Sequence, residues 1–211
     1  MVLVTGCDEA GRGPIIGPMV MCGVIIEDTD IPKLEEIGVK DSKKLTPKKR
    51  KILFPKIKEV VKDFELIIVE PAEIDEALNS AHLNLNWLEA IKTAMILNKL
   101  KPVKAIVDCP SVNIDAYASY MGKFMKEKVE IILEHDAERY LEVAAASILA
   151  KVTRDNIIED MKVKYGDFGS GYPSDPKTKA FLKENWKKYP EIFRVTWSSY
   201  KKVAQPKLGD F

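Results

Sequence analysis

The chain has 211 residues, 46% hydrophobic and 31% charged, with a net charge of +1. That composition is ordinary for a soluble globular protein with one substantial core, and near-neutrality restricts any nucleic-acid surface to a local patch. The longest near-apolar run, Ile15 to Ile26, has twelve residues and two glycines, too short to span a bilayer.

In chain order, Val2 to Cys7 reads as a short buried strand. Asp8-Glu9-Ala10-Gly11-Arg12-Gly13-Pro14 follows it directly. Adjacent carboxylates at a strand end repel each other and lose water, and the usual compensation is a bound cation. Gly11-Arg12-Gly13 then offers backbone with almost no steric bulk and one guanidinium suited to phosphate. Metal-binding acids beside a loop that reads phosphate or sugar suggest an enzyme that cuts nucleic acid. Acidic residues at position 8 come too early for a secretory leader, and Cys7, Cys22 and Cys109 lack metal-ligand spacing. A reduced, cytoplasmic protein with buried thiols is expected.

Met19–Ile26 reads as the second strand. Asp41-Ser42-Lys43 precedes Thr46-Pro47, an N-cap with a first-turn proline that opens a helix running towards Lys62. Nine basic residues between Lys40 and Lys58 suit either phosphate neutralisation or the solvated face of that helix. Further strands are expected at Glu65–Val69, Val103–Asp108 and Val129–His135, and helices at Ala81–Leu100, Glu138–Tyr165 and Lys177–Tyr189. The first three strands suit an antiparallel meander, whereas the last two alternate with helices, as in a partly parallel sheet. Composition changes after Tyr165, so residues 1–165 read as an α/β core and 166–211 as a carboxy-terminal helical extension.

Asp108 ends one apolar run and Asp136 follows another. In parallel sheets functional groups gather at the carboxyl ends of strands. Asp8, Glu9, Asp108 and Asp136 could therefore converge, and four carboxylates invite two divalent cations, Mg²⁺ or Mn²⁺ given oxygen-only ligands. Asp136 also suits a helix cap and Asp108 an ordinary turn. Ser147, Lys151 and Arg154 recur at i, i+4 and i+7, a polar stripe that either borders the site or forms plain surface.

The first motif, Asp41-Ser42-Lys43, Asp108 after its strand, and Ala145-Ala146-Ser147-Ile148-Leu149-Ala150-Lys151-Val152-Thr153-Arg154-Asp155 together resemble ribonuclease HII of the archaeal type. The resemblance implies a ribonuclease H-like fold, a mixed five-stranded sheet flanked by helices. It also implies a monomeric endonuclease that cuts RNA in RNA–DNA hybrids and incises at ribonucleotides embedded in DNA, leaving 5′-phosphate and 3′-hydroxyl ends. The family's four metal-binding acids fall on Asp8, Glu9, Asp108 and Asp136, with Glu138 in reserve for the last. Gly11, Arg12, Gly13, Ser42, Lys43, Ser147, Lys151 and Arg154 are expected on the nucleic acid. Tyr172 resembles the family tyrosine that stacks on the sugar at the RNA-to-DNA step. Gln205, Leu208 and Phe211 resemble a peptide box that docks on the sliding clamp, PCNA. A DNA-only nuclease of the same fold and a non-catalytic hybrid-binding module are the alternatives. A nucleotide-phosphate binder is disfavoured because no Walker lysine follows the glycines.

Overall fold

The computed structural model describes residues 1–205. Among these residues, five strands form one sheet: β1 (Leu3–Ala10), β2 (Met19–Glu27), β3 (Asp63–Val69), β4 (Lys104–Asp108) and β5 (Glu130–Glu134). Their order is β3-β2-β1-β4-β5. β1 runs antiparallel to β2 and parallel to β4, and β4 runs parallel to β5. The mixed sheet expected from strand spacing is present. β1 is longer than expected: Asp8 and Glu9 lie inside it, opposite Cys22 and Met21, and not beyond its end.

Among the described residues, eight α-helices accompany the sheet: α1 (Ile31–Glu36), α2 (Pro47–Val60), α3 (Pro71–Asn79), α4 (Leu85–Leu100), α5 (Ile114–Gly122), α6 (Leu141–Tyr165), α7 (Pro176–Asn185) and α8 (Ser198–Ala204). α2 starts as the sequence dictates, with the Thr46 hydroxyl accepting from Lys49 N and Pro47 in the first turn. Helix α6 carries Ala144, Ala145 and Ala146, all fully buried, and their small side chains permit a close approach to β1. A Cβ built on Gly6 would meet the backbone of Glu142 and Val143 closer than 3.0 Å, so only glycine fits there. All three cysteines are buried and free. Among the described residues, no helix is long and apolar enough to cross a membrane.

Two compact units emerge, both discontinuous. The first comprises Met1–Ala10, Val20–Ile68 and Asn86–Thr153. The second gathers Gly11–Met19, Val69–Leu85 and the residues from Arg154 on. Its own core contains Ile15, Ile16, Phe168, Leu182, Phe193 and Tyr200. The division therefore does not fall at residue 165. It cuts α6 at Thr153 and assigns the glycine loop and α3 to the same unit as the carboxy-terminal helices.

Candidate active site

Within the first unit, β1 is paired on both edges, so Asp8 is only 5% exposed. Its Oδ1 accepts from Glu9 N at 2.7 Å, while the buried Oδ2 has no hydrogen-bond partner. Burial and the neighbouring Glu9 raise this carboxyl well above the usual range, and Lys151 with a hydrogen bond from Ser147 only partly oppose them. Asp108 ends β4 half-buried, and its Oδ1 accepts from Ala137 N at 3.1 Å. Asp8, Glu9 and Asp108 share one cleft, lined also by the fully buried Glu89.

Asp136 and Glu138 sit two residues apart with opposite fates. Asp136 occupies the left-handed region at φ 54°. Its side chain is 90% exposed, with Lys43 Nζ at 3.5 Å. Glu138 is buried, and its Oε2 accepts from Ser42 N at 2.7 Å and from Ser42 Oγ at 2.5 Å. Lys151 and Lys43 Nζ lie 3.4 and 3.5 Å from Oε1. Burial pushes Glu138 up, but the Ser42 hydrogen bonds and both ammonium groups outweigh it and hold the carboxyl below its ordinary value. The same two acids raise Lys43 against the effect of its burial.

The Asp41-Ser42-Lys43 motif forms a capped turn, with Lys43 N donating to Asp41 Oδ1 at 3.0 Å. That turn delivers Ser42 to the interior. Lys151 Nζ donates to Ser42 Oγ at 2.5 Å and to Ser147 Oγ at 2.6 Å, and the two hydroxyls lie 3.0 Å apart. A polar path thus runs from Ser147 through Lys151 to Glu138. Two of the expected placements stand apart in the structure. Asp136 faces solvent because the buried Ala137, whose N–H is held by Asp108, turns the neighbouring side chain outward. Ser42 and Ser147, expected on the nucleic acid, are fully buried and hydrogen-bonded to each other, with Ser42 also donating to Glu138.

Among the described residues, no three His, Cys, Asp or Glu side chains are gathered as ligands of a metal ion. The donor set nonetheless fits a hard divalent cation: the oxygens of Asp8, Glu9 and Asp108, one of them buried and without a hydrogen-bond partner.

In the second unit, the loop opens at Gly11, where φ is +82° and a Cβ would collide with Arg154. Arg154 is only 6% exposed, and its Nε and Nη2 donate to the carbonyls of Pro18 and Ile16 at 3.1 and 3.3 Å. Expected on the nucleic acid, it here braces the loop from behind. Tyr172 is 43% exposed, with its ring against Gly13. Its turn is fastened by Asp175, which accepts from Ser170 N and Oγ at 2.7 Å and from Lys177 N at 2.9 Å. Those hydrogen bonds hold Asp175 down at about 2.

Sequence reasoning missed Glu89, Asp75 and Arg194. Only Arg194 left a trace, as a lone cation in the apolar run Ile192-Phe193-Arg194-Val195. Of the tail residues, Gln205 is exposed at the end of α8, and Leu208 and Phe211 lie outside the described residues.

Residues 5–200 match the family model for ribonuclease HII. The ribonuclease HII of Pyrococcus furiosus is 47% identical over 208 residues, 96% of this chain and 91% of the relative. The crystal structure of ribonuclease H2 from Pyrococcus horikoshii OT3 superposes with a TM-score of 0.87 at 47% identity, covering 95% and 96% of the two chains. The ribonuclease HII in the PCNA complex from Archaeoglobus fulgidus superposes with a TM-score of 0.83 at 39% identity, covering 99% and 100%.

Proposed function

This chain belongs to the ribonuclease HII family, and we propose that it incises duplex DNA at embedded ribonucleotides by a two-metal-ion mechanism. As a member it is an endonuclease of the ribonuclease H type, acting on RNA–DNA hybrids. The finer reading gives 5′-phosphate and 3′-hydroxyl ends, in a cytoplasmic protein working as a monomer.

The observation that carries it is the buried, unpartnered Oδ2 of Asp8 among carboxylates, an arrangement that is costly without a cation. Two Mg²⁺ or Mn²⁺ ions would be held by Asp8, Glu9, Asp108 and a fourth carboxylate. Bound there, they would activate a water and stabilise the leaving oxygen. For the fourth position, burial favours Glu138 over the exposed Asp136. The fully buried Ser42 and Ser147, with Lys151, fix that glutamate's direction. Lys43, 62% exposed, is left to meet a phosphate.

A ribonuclease must sense one 2′-hydroxyl, which donates and accepts and so suits close backbone groups. Gly11, Arg12 and Gly13 supply that backbone, and Tyr172 supplies a half-exposed ring against Gly13 for stacking on the sugar. In the tail, Gln205, Leu208 and Phe211 would dock on PCNA, in keeping with the complex solved for the Archaeoglobus relative.

The test is incubation of a duplex carrying one ribonucleotide with Mg²⁺ or Mn²⁺, mapping the cut and its ends. Cleavage is expected only in the strand with the ribonucleotide. Cutting of an all-DNA control, or binding without cutting, would give the activity to one of the alternatives.

A further inference from the structure

The groups that hold the Gly11-Arg12-Gly13 loop come from near the opposite end of the chain. Arg194 is fully buried, the largest side chain so enclosed. Its Nη2 donates to Gly11 O at 2.6 Å and to Gly17 O at 3.0 Å. Nη1 donates to Arg12 O at 2.8 Å, and Nε to Gly17 O at 3.1 Å. The guanidinium lies over the Trp197 ring at 5.0 Å, and Trp197 Nε1 donates to Gly13 O at 3.2 Å. One arginine and one tryptophan therefore engage the carbonyls of all three loop residues.

The segment bearing them is itself anchored. Asp75, at 7% exposure, accepts from Val195 N at 2.8 Å, from Thr196 N at 2.9 Å and from the Thr196 hydroxyl. The backbone ties in both directions: Arg194 N donates to Ile15 O, and Gly17 N to Ile192 O, each at 2.9 Å.

Burying a guanidinium is costly. A loop that needed only a cover would be served by an apolar side chain. What arginine adds is a rigid planar fork of donors that dictates where each carbonyl points. Two glycines in three residues leave this loop intrinsically soft, and a soft loop discriminates one hydroxyl poorly. Because peptide bonds are trans, carbonyls turned toward Arg194 and Trp197 direct the following N–H groups of Arg12 and Gly13 the other way. Resting on the reading of this loop as the sugar sensor, we propose that Arg194, with Trp197, is the positioning residue that confers selectivity for a lone ribonucleotide.

The test compares cleavage of a lone-ribonucleotide duplex with that of an all-RNA hybrid, for the wild type, Arg194→Lys and Trp197→Phe, well below their unfolding temperatures. An all-RNA strand presents a hydroxyl at every sugar, so a misplaced loop still meets one in a neighbouring register. A lone ribonucleotide gives no second chance. Arg194→Lys keeps the charge but loses the fork, and is expected to cut the lone ribonucleotide about 10- to 100-fold more slowly while losing much less on the hybrid. Trp197→Phe removes one hydrogen bond and should shift the same ratio about 5-fold. A purely structural part would reduce both substrates by one common factor, and that outcome, or no change in the ratio for either variant, overturns the proposal. If Arg194→Lys fails to fold, Trp197→Phe decides alone. A wild type that cuts neither substrate would instead overturn the proposed function.

Discussion

Gly6→Ala tests how closely β1 lies on α6, and with it how Asp8 is placed. The added Cβ would meet three backbone atoms of Glu142 and Val143 closer than 3.0 Å, whereas ordinary contact begins at 3.4 Å. No rotamer change relieves a clash with backbone, so the cost belongs at the upper end of overpacking, about 3 kcal/mol. Replacing a strand glycine returns only about 0.5–1 kcal/mol of conformational entropy. The clash wins, leaving a net loss of about 2 kcal/mol and a melting midpoint lower by roughly 4–8 °C in a chain of this size. Gly6 and Asp8 point to the same face of the strand. Opening the strand–helix gap therefore also displaces Asp8, and cleavage should fall in molecules that remain folded. Denaturant unfolding and hybrid cleavage are the assays, with Gly122→Ala as control. Gly122 ends α5 with nothing within 4 Å of its Cβ position, so that change should stabilise by about 0.5 kcal/mol or more. A Gly6→Ala protein as stable and as active as the wild type would show that α6 yields, and would refute the reasoning.

Asp8→Asn should abolish cleavage and yet stabilise the protein at neutral pH by about 1–3 kcal/mol, the scale for an unsatisfied buried group. The folded-state value of Asp8 is raised, so the native state holds its proton more tightly and wild-type stability falls as pH rises above the ordinary carboxylate range. The difference in melting temperature between the two proteins should therefore shrink towards pH 4, and an Asp8→Asn protein less stable than wild type at pH 7 would contradict this. Glu138→Gln should lower kcat/KM about 100-fold and Asp136→Asn by no more than about threefold, given their burial. The reverse pattern returns the fourth position to Asp136. Tyr172→Ala should reduce cleavage at lone ribonucleotides by about 10-fold with the metal-concentration midpoint unchanged, and a shifted midpoint would argue against a stacking part. Deleting Gln205 to Phe211 should remove binding to PCNA in a pull-down without slowing cleavage of naked duplex; retained binding would place the docking peptide elsewhere.

The sequence by itself settled what local chemistry controls. Val- and Ile-rich runs marked all five strands to within a few residues, because buried strands are short and apolar. Thr46-Pro47 fixed the start of α2 through its own cap, and Asp8-Glu9 beside Gly11-Arg12-Gly13 announced paired acids and a bare backbone within seven residues. Helices α1, α3, α5 and α8 escaped notice, being six to nine residues long with too few turns to display a period.

Which polar groups turn inward was decided only by the tertiary structure. Glu138 and not Asp136 is enclosed because its partner Ser42 comes from 96 positions away. Arg194 finds its purpose on Arg12, at a separation of 182. The burial of a charge depends on the donors and acceptors that folding brings to it, and those arrive from segments whose proximity no local pattern encodes.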